Sequence, residues 1–203
     1  FEGMEGKKLL GCWAHARRKF FEAKVENEKL ALEALSYIRR LYDVEAEADA
    51  LDAADNKPDH ERRKALRQEK AYPEIKKFET WMEASILKCP PKSLMEEAIS
   101  YTYKILKKLS LYVTDGRYKI DNNMVENSIR PLAIGRKNYL FCGDDDAAQR
   151  AAVVYSLLAT CKAHGVNERA WLEDVLRRIP EYEQAGKDYA DLLPANWRAL
   201  SAK

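Results

Sequence analysis

A mainly α protein is what this sequence predicts, on three observations. Apolar residues recur at three- and four-residue steps through most of the chain; only 8 Gly and 7 Pro interrupt its 203 residues; and Ser, Asp or Asn stands where several of those runs begin, placed to cap a helix. Hydrophobic residues are 46% and charged residues 33%, too apolar for a disordered chain. The length suffices to bury a core without disulfides or metals. No apolar run approaches the about 18 residues that span a bilayer, and no signal-peptide pattern opens the chain, so a cytoplasmic protein with no membrane partner is expected. Phe1 in place of Met reads as the mark of a fragment or processed piece of something longer.

Lys7–Trp13 is short, with an apolar Leu9-Leu10 pair, and reads as a buried strand feeding a helix at Ala14. The helical pattern then runs to about Leu51 through Leu32, Leu35, Ile38, Leu41 and Tyr42, with Asn27 marking a break. Asp52–Pro58 is a turn and Asp59–Ala71 a helix. Pro73 suits the first turn of the next helix, which runs to about Leu87 before Cys89-Pro90-Pro91 stops it. Ser93 caps a long helix whose expected inner face is Leu94, Ala98, Tyr101, Ile105, Leu109 and Tyr112. Asn123–Arg130 is a shorter helix, closed or kinked at Pro131, and Lys137–Gly143 is extended or strand-like. Asp144–Ala163 is so apolar after Arg150 that burial from several sides is expected. His164-Gly165 signals its end, Asn167 caps the following helix, and Leu192, Leu193 and Trp197 dock near the C-terminus.

A net charge of +2 excludes a strongly basic nucleic-acid coat but leaves room for a local basic patch. Four scattered cysteines without CxxC spacing read as reduced thiols. Arg62, Arg63, Lys64 and Arg67 read as a solvated helix face, and Asp144, Asp145 and Asp146 as helix-capping charge.

The segment IDNNMVENSIRPLAIGRKNYLFCG, Ile120–Gly143, carries the chemistry. Glu126 at the start of a helix lies beside Asn122, Asn123 and Asn127, with Arg130, Arg136 and Lys137 following. A carboxylate can hold a hard cation and basic side chains a phosphodiester backbone, a combination suited to metal-assisted nucleic-acid chemistry. On local pattern alone, Asn123 as cap with Glu126 three residues on is equally a capping box, and Glu126 and Arg130 an ordinary i,i+4 pair.

DNNMVENSIRPLAIGRKNYLF resembles the signature of the insertion-sequence-66 family of bacterial transposases. LLGCWAHARRKFFEA, IRRLYDVE, YSLLATCKAHGVNERAWLEDVLRRIP and LLPANW resemble that family in the same order. The resemblance implies a remnant of a ribonuclease-H-like α/β core, with the last core strand and the start of the next helix at residues 1–19. A large helical insertion would span 20–115, the catalytic-glutamate segment and buried helix 116–164, and a small helical module 165–203. It implies DNA strand cleavage and transfer during transposition, with magnesium or manganese as cofactor in the intact enzyme. DNA ends and target, the rest of the transposase chain and a second copy are the implied partners.

Glu126 matches the third acidic residue of the Asp-Asp-Glu triad. Asn122, Asn123, Asn127, Arg130, Arg136 and Lys137, with Arg17 and Arg18, are then the DNA-contacting candidates, and Cys12 and His15 lie near the active site. Cys161 and His164 repeat the Cys-x-x-His spacing, but a zinc site lacks the usual finger pattern. Asp43, Asp49, Asp52 and Asp55 fit neither missing Asp position, so the chain is expected to be an incomplete catalytic fragment with no activity alone, and no tightly bound metal. The rival from another class is a non-catalytic DNA-binding or assembly module derived from a transposase.

Overall fold

The computed structural model describes residues 8–139 and 141–201, and among them it is mainly helical, with no strand. The chain divides between Met124 and Val125 into two compact units.

The first unit opens on extended backbone at 8–12, within the span where a strand is expected; Lys7 lies outside the described residues. Gly11 donates its amide to the Lys108 carbonyl at 2.9 Å, and Cys12 sits at φ −110°, ψ 113°. The backbone is thus strand-like in shape, but no described neighbour supplies the ladder of hydrogen bonds that makes a strand. Helix α1 (Trp13–Glu22) follows, then a 3-10 turn at Ala23–Val25 and the long helix α2 (Glu28–Ala54). Asn27 breaks the run as expected, its side chain accepting from the Leu30 amide at 3.1 Å.

Helix α3 (His60–Leu66) passes through a π turn (Arg67–Ala71) directly into α4 (Tyr72–Ile86). No break falls at Ala71, because Pro73 occupies the first turn of α4, where a proline costs little. Helix α5 (Leu94–Ser110) is capped by Ser93, which accepts from the Glu96 amide at 3.2 Å, and ends in a 3-10 turn at Leu111–Thr114.

These helices enclose one core, in which Trp13, Phe20, Ile38, Phe78 and Ile99 are almost fully buried. Phe78 lies at its aromatic centre, stacked on Tyr37 at 5.3 Å and Trp81 at 5.7 Å, with Phe20 edge-on at 5.7 Å. The Trp13 indole donates to the Leu109 carbonyl at 3.1 Å, so its one polar atom is satisfied in the core.

The inner face of α5 differs from the expected one. Met95, Ala98, Ile99, Thr102, Leu106 and Leu109 are buried, whereas Leu94 and Tyr101 are more than a third exposed. Two stripes about 100° apart on one helix share Ala98 and Leu109. Tyr101 can sit outside because an aromatic ring with a hydroxyl tolerates water; it receives the Lys19 ammonium at 6.0 Å from its ring centre.

The basic group on α3 is not a solvated face. Arg67 is wholly buried, and its guanidinium donates to both carboxylate oxygens of Glu45 at 2.7 Å and to the carbonyls of Tyr112 (2.9 Å), Asp115 (2.9 Å) and Tyr118 (3.0 Å). Arg63, 8% exposed, donates to Glu45, Asp49 and Asp52. The Arg63 guanidinium and the Asp59 amide hold the Asp52 carboxyl well below the usual carboxylate range. Sequence periodicity places four cations on one turn-rich helix but does not show that α2 aims Glu45, Asp49 and Asp52 at them.

Arg67 thereby ties the loop after α5 to α2. That loop packs so closely that a Cβ on Gly116 would lie 1.9 Å from the His60 carbonyl oxygen. Gly116→Ala should therefore destabilise the protein by about 2–4 kcal/mol, since the obstruction is backbone and cannot rotate away. Urea unfolding checks this, and a loss below about 0.5 kcal/mol would contradict the contact.

The second unit carries most of α6 (Asn123–Gly135), then α7 (Asp145–Ala163), α8 (Glu168–Ala185), a 3-10 turn (Tyr189–Leu192) and α9 (Pro194–Ser201). Pro131 lies inside α6, which continues to Gly135. Lys137–Gly143 is a turn followed by irregular backbone, with Leu140 outside the described residues. Asp144 caps α7 by accepting from the Ala147 amide at 2.7 Å, and Gly165, at φ 63°, follows its end. Asn167 caps α8 through the Ala170 amide at 2.9 Å.

The core of this unit is small: Cys161, Val166, Trp171, Val175, Tyr182 and Leu192. Trp171 donates to the Leu192 carbonyl at 2.9 Å, and Trp197 packs on the cluster while Leu193 stays 47% exposed. The expected burial of α7 is not found. Only Cys161 is buried on it, and Val153 and Val154 are 59% and 50% exposed. An all-round apolar helix shows what it could pack against, and the described residues of this chain do not cover it.

Candidate functional site

The turn into α6 is organised by Asp121. Its carboxylate accepts the Asn123 amide at 3.1 Å, the Asn123 side-chain amide at 3.0 Å and the Tyr42 hydroxyl at 2.8 Å. Asn123 is therefore the first residue of α6 rather than its cap, and the role expected of it falls to a carboxylate two residues earlier. The Trp13 amide bonds the Ile120 carbonyl at 3.2 Å, pinning the same turn to the start of α1. Burial, and then the Asp121 bond, push the Tyr42 phenol above its ordinary range, which keeps it a proton donor.

The candidates fall on both sides of the unit boundary. In the first unit, Cys12 precedes α1 and His15 lies in its first turn, both partly buried, while Arg17 and Arg18 are exposed further along. Arg17 shares a cleft of about 720 Å³ with Asn123, Tyr42, Leu32, Leu35, Ser36 and Arg39. Asn122 is exposed beside it in the sequence.

In the second unit, Glu126 is partly exposed, and Asn127 and Arg130 are exposed. Their three- and four-residue spacing along α6 puts Glu126, Asn127 and Arg130 on one stripe of the helix. Arg136 and Lys137 follow in the exposed turn after α6. Beyond them, the Tyr139 and Tyr155 hydroxyls meet at 2.9 Å, a bond that pushes the Tyr139 phenol up to about 12.

Among the described residues, no group of three or more His, Cys, Asp or Glu side chains is placed to hold a metal ion. Cys161 is fully buried and His164 ends α7. The residues present therefore do not by themselves fit the two-metal site of an Asp-Asp-Glu enzyme, which takes several carboxylates. No helix among the described residues is long and apolar enough to cross a membrane.

The model for the Transposase IS66 family matches residues 2–150, with the Asp121 turn and Glu126 inside the match. The chain belongs to the IS66 family of transposases. The IS66 C-terminal element matches residues 156–195, covering the C-terminal part of α7, all of α8 and the start of α9. Three proteins of Sinorhizobium fredii (strain NBRC 101917 / NGR234) are similar. The uncharacterized protein y4qI is 38% identical over 94% of this chain and 34% of its own length, y4hP 33% over 94% and 35%, and y4jD 32% over 95% and 36%. The chain thus spans about a third of the length of the curated relatives it matches. No solved structure matches it.

Sequence reading missed three residues of this region. Asp121 was visible as the acid of the DNN run, two residues before a helix start, where carboxylates form turns. Tyr42 and Arg39 lie in the family-like segment IRRLYDVE, but nothing local in it tied them to the Asp121 turn, 79 positions from Tyr42.

Proposed function

We propose that this chain is the C-terminal portion of an Asp-Asp-Glu transposase, and that Glu126 is the acidic residue it contributes to DNA cleavage and strand transfer. The observation that carries the reading is the family match over residues 2–150, a span that contains Glu126; the resemblance of DNNMVENSIRPLAIGRKNYLF to the family signature supports Glu126 as the third acid. Arg130 on the stripe of Glu126, with Arg136 and Lys137 just beyond, gives phosphate-binding charge next to that carboxylate; Arg17, Arg18 and the three asparagines are the further contacts.

Magnesium or manganese is the ion this chemistry uses, and its remaining carboxylate ligands must come from residues other than those described. The rest of the transposase chain is the partner, in the bacterial cytoplasm, and a second copy is a further one. Exposed Val153 and Val154 on α7 and Ile129, Leu132 and Ile134 on α6 support such a partner, since large apolar side chains left in water on neighbouring stretches of helix favour being covered. The lone carboxylate favours one second reading, a non-catalytic DNA-binding or assembly module derived from a transposase.

If these cations grip phosphates, this chain should bind duplex DNA weakly, with little sequence preference and steep salt dependence. Titration of labelled duplex at low and at physiological salt checks this, with Arg136→Ala beside the wild type. Affinity that ignores salt, or survives Arg136→Ala unchanged, contradicts the assignment.

A further inference from the structure

We propose that the cleft between α1 and α2 holds a single unpaired nucleotide of the DNA, its phosphate on Arg17 and Arg39 and its sugar and base on Leu32 and Leu35. This rests on the reading of the chain as a DNA-binding transposase portion, and it names which form of DNA the cleft selects.

The cleft of about 720 Å³ falls within the roughly 300–1,000 Å³ of sites that enclose a small organic group. Its lining combines two guanidiniums with an apolar wall and, among the described residues, includes no carboxylate: Ala14 and Arg17 from α1; Leu32, Leu35, Ser36, Arg39 and Tyr42 from α2; and Asn123. Arg17 is exposed, and Arg39 meets Asp43 only at 4.0 Å with its side chain 83% exposed, so both guanidiniums can turn to an anion. The nearby negative charge of Asp121 is already engaged by Tyr42 and by Asn123.

The walls offer acceptors and a donor. The Ser36 hydroxyl spends its proton on the Glu33 carbonyl at 2.7 Å and is left as an acceptor, and the Asn123 side chain spends one N–H on Asp121, leaving its other N–H and its carbonyl oxygen. Such groups beside an apolar wall suit the polar edge and flat face of an exposed base. A paired duplex offers a protein its phosphates while its base faces stay stacked, so it would use the two arginines and leave Leu32, 49% exposed, in water. An unpaired nucleotide uses both halves of the cleft.

The test is fluorescence anisotropy of this chain with a blunt duplex, the same duplex bearing a short unpaired tail, and free deoxynucleoside monophosphate as competitor. The tail should strengthen binding by about tenfold, the value of one charge-assisted contact with its apolar support. Leu32→Ser, at an exposed position, should erase most of that gain while leaving blunt-duplex binding close to wild type, whereas Arg39→Ala, which removes a phosphate contact open to either DNA, should weaken both. A tail that adds nothing, or a gain that survives Leu32→Ser, overturns the cleft proposal while DNA binding by Arg136 still stands. Monophosphate that displaces the tailed duplex as well as the tail itself does shows a free-nucleotide site and also overturns it. Failure of both DNAs to bind overturns the cleft proposal together with the reading it rests on.

Discussion

Glu126→Gln, placed in a full-length IS66 transposase carrying this sequence, should lower excision by at least about 100-fold, the cost of losing a charge that acts in the reacting complex. Glu126 is partly exposed near the start of α6, and Gln keeps its length and its ability to accept a hydrogen bond. The substitution removes one negative charge and little packing, so stability should change by no more than about 0.5 kcal/mol. Excision counts paired with a thermal melt separate the two effects. Wild-type excision with Gln at this position would show that Glu126 is a helix-start residue and nothing more.

The second large effect is on folding. Arg67→Ala should cost about 3–5 kcal/mol, because it strands buried partners rather than a surface charge. Among the described residues Glu45 would keep the 3.1 Å bond from Arg63, the carbonyls of Tyr112 and Tyr118 would lose the guanidinium donor, and that of Asp115 would keep just the Tyr118 amide at 3.2 Å. Arg67→Lys should recover only part of this, since one ammonium cannot reproduce a planar fork that bonds on both sides. The same logic predicts that Asp43→Ala is nearly silent: its ion pair with Arg39 spans 4.0 Å between exposed groups. Denaturant midpoints check the series, and an Arg67→Ala loss under about 1 kcal/mol would contradict the network.

Helix positions were legible wherever one residue decided them. Asn27, Ser93, Asp144 and Asn167 each cap the helix their sequence context indicates, because capping is a contact within three residues. What needed long-range packing was not legible. The buried Arg67 network joins residues separated by 22 to 51 positions, and a cation at helical spacing looks the same in sequence whether a carboxylate faces it or water does. The face of α5 was ambiguous because two apolar stripes compete on it, and only the neighbours in the core choose Met95, Ile99 and Leu106. The apolar run of α7 misled in the other direction, since among its residues only Cys161 is buried by the described residues. Of the candidate site, Glu126 and its cations were visible through the family motif. The Asp121–Tyr42 pairing was not, because it joins residues 79 positions apart.

Incubating this chain with labelled duplex DNA and magnesium or manganese tests the central claim most directly. A two-metal site needs several carboxylates to fix both ions about 3.5–4 Å apart, and one carboxylate binds magnesium weakly. If Glu126 is the triad's one acid among the described residues, the chain should leave the DNA intact, giving no more product than its Glu126→Gln variant. Cleavage by the wild-type chain that Glu126→Gln abolishes would contradict the account, since a contaminating nuclease would not respond to that substitution.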